Sequence, residues 1–425
     1  MRKWYSLIDK VYNIENLRKA YKRVRANKGA PGLDGETVEE YGENLEDNLK
    51  QLHHELKSGT FQPVPVLRVE IDKEDGKSKR KLGIPIVKDR IVQQALLNIL
   101  QPIFDPHFHP SSYGYRPGRS PQQAVAKAER FMNKYGLPYV VDMDLSKCFD
   151  RLDHELILKS INTRVSDGKV LKLIKSFLEA GVMVGGRVEK TDVGSPQGGV
   201  ISPLLANCYL DYFDQSMKAR GIRIVRFADD ILVFAKTPEQ AKEYERIAVE
   251  LLEDELKLTV NREKTHRTSV YKGVAFLGVI IHRKFVAINP VKLKKFKDKI
   301  RKITKRNQGP NLEEVIEKLN PVLRGWINYF RIANCKEHVQ ALMEWIRRRL
   351  RMKKMKEWKS WKPLHQQLRR MGYKGSFEKI SVTRWRNSAS PLVNMALPNR
   401  WFHHEMGLVD LTKYEVGLLH QYYEV

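Results

Sequence analysis

Two apolar stretches of this 425-residue chain carry carboxylates where a buried acid is costly. The first reads Val140–Val141–Asp142–Met143–Asp144–Leu145 and the second Phe227–Ala228–Asp229–Asp230–Ile231. Both have the β-branched and apolar character of strands. Side chains alternate along a strand, so Asp142 and Asp144 share one face while Val141 and Met143 share the other. Asp229–Asp230 lies between two β-rich runs in IRIVRFADDILVFA (222–235), which predicts a hairpin with acids at its turn. Taken alone, that pair is also what an ordinary turn selects. Clustered carboxylates repel, and they are relieved by protonation, a basic partner or divalent cations. Mg2+ takes one or two carboxylates together with substrate phosphate oxygens. Two such ions, about 3.5–4 Å apart, would serve an in-line displacement at phosphorus.

The composition points to phosphate. Lys+Arg number 77 against 50 Asp+Glu, a formal net charge of +27. The partner is therefore a polyanion, nucleic acid or an acidic membrane surface. No run of about 18 apolar residues exists, and MRKWYSLIDKVYN lacks the apolar stretch of a signal peptide. Nucleic acid in the cytoplasm, without a membrane, is the better expectation. Cys148, Cys208 and Cys335 are scattered and odd in number, which excludes a disulfide framework and a Cys-rich zinc site. His403–His404–Glu405 has no cysteine partners and reads as surface. The charge is concentrated, with 24 Lys/Arg against 7 Asp/Glu in residues 291–370. Within them, WIRRRLRMKKMKEWKSW (345–361) sets Trp345, Met352, Met355 and Trp358 among Arg347, Arg348, Arg349, Arg351, Lys353 and Lys354. This is either a helix with a solvated basic face or a phosphate-tracking helix anchored by its aromatic stripe.

The elements that must position these residues follow from periodicity. Leu7, Tyr12, Leu17, Tyr21 and Val24 predict helices over 4–58, broken at NKGAPGLDG (27–35). VPVLRVEI and KRKLGIPI flank DKEDGKS and predict a hairpin over 64–86, with Lys73, Lys77, Lys79 and Arg80 near its tip. Helices are expected at 89–104, 121–135, 152–182 and 238–256. GSPQGGVISP (194–203) is a loop running into an apolar helix, and 274–288 is a strand pair. From 291 onward the pattern is almost all helical. The composition shifts near Pro290 and, more weakly, at Trp361–Pro363.

These residues resemble the bacterial group II intron reverse transcriptases, the intron-encoded maturases, over nearly the whole chain. NKGAPGLDG resembles the family's N-terminal extension motif. LGIPIVKDRIVQQA (82–95) and SYGYRPGRS (112–120) resemble its fingers blocks. VDMDLSKCFDRLDH (141–154), GSPQGGVISPLLAN (194–207), RFADD (226–230), LTVNREKT (258–265) and FLG (276–278) resemble successive palm motifs. LRGWINYF (323–330) with WIRRRLR (345–351) resembles the thumb.

The resemblance implies an α+β right-hand polymerase with an antiparallel palm sheet. Its parts would be an N-terminal extension (1–62), fingers (63–136), palm (137–289), a helical thumb or maturase domain (290–358) and a small C-terminal DNA-binding domain (359–425). It implies RNA-directed DNA synthesis from an RNA template, a DNA primer and dNTPs, together with binding, splicing and retrohoming of a group II intron RNA. Asp144, Asp229 and Asp230 would hold two Mg2+ ions, with Mn2+ as the substitute; Asp230 is the less direct ligand. Asp144 is preferred to Asp142 because the aromatic sugar gate, Phe149, should lie five positions on. Lys73 and Arg80 would contact the triphosphate, Gln197 the nucleotide and template, and Lys264 the pyrophosphate. Phe276, Leu277 and Gly278 would form the primer grip, and the basic run 347–354 would track nucleic acid. Gly198 and Gly199 would let backbone approach the substrate. Phe227 stands where the family usually has Tyr, which removes one hydroxyl. Nothing after residue 362 resembles the zinc-containing endonuclease domain of some relatives. The alternatives are an intron-free, host-adopted reverse transcriptase in DNA repair or defence, a non-enzymatic splicing factor, and a two-metal nuclease. The last has no need of an aromatic gate.

Overall fold

The computed structural model describes residues 3–72, 79–184, 187–189, 194, 198–307 and 309–423. Lys73 and Gln197 lie outside them. The chain forms two compact units, Met1–Ser269 and Val270–Val425.

Among its described residues the first unit contains eight strands: β1 Val66–Asp72, β2 Lys79–Ile84, β3 Tyr139–Met143, β4 Val182–Val184, β5 Arg187–Glu189, β6 Arg223–Phe227, β7 Asp230–Ala235 and β8 His266–Ser269. Four form an antiparallel sheet in the order β6-β7-β3-β8. The alternation along β3 divides this sheet as predicted. Val141 and Met143, with Ile231 and Val233 of β7, enter the main core. There they join Leu205, Tyr209 and Phe213 from the helix Ser202–Ala219, and Ala241 and Ala248 from the helix Pro238–Glu250. Each large apolar side chain so buried contributes roughly 1.5–3 kcal/mol. On the opposite face, Phe131 from the helix Pro121–Asn133 meets Phe234 edge-on at 5.2 Å. Asp142 and Asp144 stand farther along that face and are only half-buried.

The hairpin β1–β2 pairs antiparallel from Leu67↔Ile84 to Asp72↔Lys79. It belongs to a second sheet, β2-β1-β4-β5, in which β1 and β4 run parallel. The helical stretch expected at 152–182 is two helices, His154–Asn162 and Gly168–Glu179, with β4 beginning at its end. The break is made by Asp167. Its carboxylate caps the second helix at Lys169 and Val170 N–H, and also accepts from Leu7 N–H (2.7 Å) and Ile8 N–H (2.9 Å).

The second unit begins with three strands rather than the expected two: β9 Val274–Phe276, β10 Val279–Ile281 and β11 Val286–Ile288, in the order β11-β10-β9. Helices Pro290–Ile303, Leu312–Phe330 and Lys336–Glu357 follow. The second unit starts at Val270, and hydrogen bonds tie its strands to its helices. Asn334 N–H donates to Val286 O (2.7 Å), Val286 N–H donates to the Asn334 side chain (2.9 Å), and the Tyr329 hydroxyl donates to Leu277 O (2.8 Å). Phe296 stacks on Trp326 at 4.4 Å. Among the described residues, no helix is long and apolar enough to cross a membrane.

One buried acid in the helix Val87–Phe104 carries a pH prediction. Asp89 is 2% exposed; one carboxyl oxygen accepts from Val64 N–H (3.0 Å) and the other has no partner. Burial pushes its carboxyl up to about 7. The folded state therefore holds this proton more tightly than the unfolded chain, and stability falls as pH rises from about 4 to 7. Asp89→Asn removes that loss. Thermal unfolding of the variant should match wild type at or below pH 4 and exceed it at pH 8, by about 4 kcal/mol.

Candidate active site

The three predicted acids meet at one end of the β6-β7-β3-β8 sheet. Met143 of β3 pairs with Ile231 of β7, so Asp144 follows at the position facing Asp230. Asp229 occupies the two-residue turn between Phe227 and Asp230. Burial, then the nearby Asp144 carboxylate, raises the Asp229 pKa, with Arg80 and Arg226 opposing. Asp230 keeps solvent access, yet the surrounding protein and then Asp229, Asp142 and Asp144 push it up to about 7, with Lys264 opposing. Asp142, paired with Leu232 on one side and His266 on the other, is pushed up to about 6 by burial.

Asp144 has cationic and amide company. Its carboxylate accepts from Asn261 Nδ2 (3.0 Å) and from Lys264 Nζ (3.3 Å), and its carbonyl accepts from Asn261 N–H (2.8 Å). The cluster offers hard carboxylate oxygens and an excess of negative charge, which suits Mg2+. Among the described residues, no three His, Cys, Asp or Glu side chains close around one ion position. Such a donor set fits an ion that completes its shell with phosphate oxygens.

The hairpin turn is held by residues that the sequence reading passed over. Arg226 on β6 is fully buried and forms an ion pair with Asp214, also fully buried, on the helix Ser202–Ala219. Its Nε lies 2.9 Å from both Asp214 oxygens, and Nη2 donates to Oδ2 at 2.6 Å. Nη1 donates to Asn207 Oδ1 and to the carbonyl of Ala228, each at 3.0 Å. Ala228 sits at φ +57, a left-handed conformation that costs a residue with a Cβ roughly 1 kcal/mol. The guanidinium thus grips the strained residue immediately before Asp229. Behind the turn, a Cβ on Gly114 would come within 2.2 Å of Ala228 N, so only glycine fits there. Asn207 Nδ2 donates to Gly114 O (2.9 Å), which closes the network.

Other predicted residues gather near this end. Phe149 lies half-buried in the turn Cys148–Arg151 and meets Tyr115 edge-on at 6.1 Å. Tyr115 also went unpredicted. It sits at φ +59, and its hydroxyl pKa is raised by burial and by Asp229, with Arg80 opposing. Arg80 is exposed on β2 and acts on both groups. Gly198, at φ +124, has a different reason from the one expected. A Cβ there would lie 2.2 Å from Gly83 O on β2, so the close approach is to the protein's own hairpin.

In the second unit, Leu277 (φ +46) and Gly278 (φ +84) form the β9–β10 turn and Phe276 is buried. The basic run 347–354 is not an open face. Arg351 is buried, donating to Leu397 O (2.9 Å) and Asn399 Oδ1 (2.7 Å), and Lys353 is buried too. Arg348 lies over Trp385 and donates to Ser388 Oγ (3.4 Å); Arg349 donates to Thr304 Oγ1 (2.6 Å) and lies over Trp345. Arg347 meets His403 and Lys354 pairs with Glu357. Arg347, Arg348 and Arg351 are thus turned toward the C-terminal segments, and Arg349 toward the end of the helix Pro290–Ile303. Exposed cations are found instead on the helix Pro290–Ile303, Lys294, Lys299 and Lys302 among them.

Comparison with known proteins agrees with this geometry. Residues 71–281 match the family described as "Reverse transcriptase (RNA-dependent DNA polymerase)", and residues 293–372 match "Group II intron, maturase-specific domain". Over 309 residues the chain is 35% identical to protein YkfC of Escherichia coli (strain K12), covering 64% of this chain and 81% of that protein. Over 198 residues it is 38% identical to the group II intron-encoded protein LtrA of Lactococcus lactis subsp. cremoris, covering 46% of this chain but only 32% of LtrA. A chain of a solved partial Cas6-RT-Cas1--Cas2 complex is 26% identical, covering 61% of this chain and 43% of that chain, at a TM-score of 0.37, too low to carry an argument. The matches make this a reverse transcriptase, an RNA-directed DNA polymerase of the α+β, right-hand class. Within that class the chain belongs to the group II intron reverse transcriptase and maturase family.

Arg226→Ala should cost about 3–5 kcal/mol, because it strands a buried carboxylate. The double variant Arg226→Met, Asp214→Leu should recover most of that stability, since both charges leave together. It cannot recover the hydrogen bond to Ala228 O. Denaturant unfolding and primer extension on the same preparations should therefore separate, with stability regained and turnover still at least tenfold down. Full activity in the double variant would deny the guanidinium its positioning role.

Proposed function

We propose that the chain copies RNA into DNA at the Asp144–Asp229–Asp230 end of the antiparallel sheet, and that it also serves the splicing and mobility of a group II intron RNA. The observation that carries the proposal is the convergence of Asp144 with the Asp229–Asp230 turn, within electrostatic reach of Arg80. Asp144 and Asp229 would hold two Mg2+, with Asp230 less direct, and the bound metal would supply charge stabilisation for nucleotidyl transfer. The protein's own part is placement and charge. Lys73 and Arg80 would neutralise the dNTP triphosphate, and Gln197 would contact nucleotide and template. Lys264, already 3.3 Å from Asp144 Oδ2, neutralises or protonates the leaving pyrophosphate. The Phe149 ring, backed edge-on by Tyr115, excludes a ribose 2′-hydroxyl. Phe276, Leu277 and Gly278 hold the primer end. The maturase-specific match at residues 293–372 supports intron RNA binding and splicing, and target-primed insertion of the copied intron follows from joining the two activities.

Primer extension on an RNA template with dNTPs and Mg2+ tests the catalytic reading. Wild type should extend and Asp229→Ala should not; product that survives in the variant sinks it. Phe149→Ala should admit rNTPs, and unchanged sugar selectivity would refute the gate. Replacing Lys294, Lys299 and Lys302 together by Ala should make the fall of log K with log[salt] shallower by about 2 to 3 for an RNA–DNA duplex. An unchanged slope would mean these lysines touch no phosphate.

A further inference from the structure

The small sheet of the second unit carries, at the end away from the Leu277–Gly278 turn, a surface that the polymerase reading does not use. Two loops meet there. One is Tyr271–Gly273, leading into β9, and the other is the β10–β11 loop at His282–Phe285, closed by His282 N–H donating to Phe285 O at 2.9 Å. The loops touch, since a Cβ on Gly273 would come within 2.6 Å of the His282 ring. Two large rings stand in solvent, Tyr271 at 60% exposure and Phe285 at 49%. Each is stacked on one side by its own neighbour. His282 lies against Phe285 at 4.6 Å and 24°, and the Arg283 guanidinium lies over Tyr271 at 5.8 Å.

Charge decides which occupant suits these rings. Lys272, Arg283 and Lys284 are all exposed around them. From Lys264 to Lys297 the chain contains no Asp or Glu at all. An aromatic face flanked by cations and free of acids complements a planar base with phosphates on either side. A duplex keeps its base faces stacked and cannot offer them, so the fitting ligand is single-stranded. We propose that Tyr271 and Phe285 form a stacking platform for a single-stranded nucleic acid segment, with Lys272, Arg283 and Lys284 holding its phosphates. The proposal does not depend on the catalytic roles proposed above.

The test uses the full chain, saturated with an unlabelled blunt RNA–DNA duplex so that the duplex-binding surface is filled. Fluorescently labelled, unstructured oligonucleotides of about 12 nucleotides, RNA and DNA of one sequence, are then titrated by anisotropy. Wild type should bind with the duplex in place. Tyr271→Ala with Phe285→Ala should weaken binding about tenfold. Tyr271→Phe with Phe285→Tyr should restore it, because both rings return. Lys284→Glu should weaken binding without touching either ring. Thermal unfolding should be unchanged in all, as every altered side chain is exposed. Equal affinity for the two strands would assign recognition to base and phosphate, and a preference for RNA would add the 2′-hydroxyl. Either result supports the platform. Unchanged affinity in the double alanine variant overturns it, as does loss of single-strand binding once duplex is added. Binding to anionic lipid vesicles in place of oligonucleotides, weakened by the same substitutions, would overturn it in favour of a membrane contact.

Discussion

The ion pair between Arg226 and Asp214 is the constraint on which the site depends. Both side chains are removed from solvent, so neither charge survives alone at tolerable cost. A guanidinium has five N–H donors in a fixed plane, and this one directs them to a carboxylate, an amide and the Ala228 carbonyl. Three segments are thereby fixed in one frame: the helix Ser202–Ala219, the β6–β7 hairpin and, through Asn207 and Gly114, the loop before Tyr115. An apolar pair of similar volume would restore most of the stability. What it could not do is aim a donor at the residue before Asp229.

Around that frame, charges of opposite sign are kept apart in function. The acids accumulate at the open end of one sheet face, where burial and mutual repulsion raise the carboxyls of Asp142, Asp229 and Asp230. Lys264 and Arg80 oppose this from the edges. In the second unit, arginines that look from composition like a surface for phosphate serve instead as long, flat packing elements. The planes of Arg349, Arg348 and Arg351 rest on Trp345, Trp385 and Phe402, while their N–H groups are taken up by Thr304, the Ser388 hydroxyl and Leu397 O. Exposed cations lie two helices earlier, on Pro290–Ile303.

The acid site was legible because its pattern violates what strands of this hydrophobicity otherwise contain. The hairpins at 66–84 and 223–235 were legible from alternation and turn residues. Asp214 was not, since in LDYFDQSM nothing distinguishes a buried carboxylate from one facing water, and its partner lies 12 residues on in another element. Tyr115 sits in a Pro- and Gly-rich loop without periodicity. Strands β4 and β5 are three residues long, too short to display a period of two, and β9, β10 and β11, equally short, read as a strand pair rather than three strands. The run 345–361 revealed its charge but not its direction, because a helix that is basic on several faces does not say which face the rest of the chain will cover.

The loop before Tyr115 does one thing more. Arg226 N–H donates to Ser111 O and Tyr113 N–H donates to Arg226 O, each at 2.9 Å, so Ser112 lies beside β6 as a single parallel rung. Edge strands expose backbone groups that invite pairing with foreign chains. Here the outward N–H and C=O of Arg226 are both already taken. A segment of an aggregating neighbour could not add to the sheet at that point without first displacing the loop that carries Gly114. The backbone that shapes the acid turn also shields the sheet against misassembly.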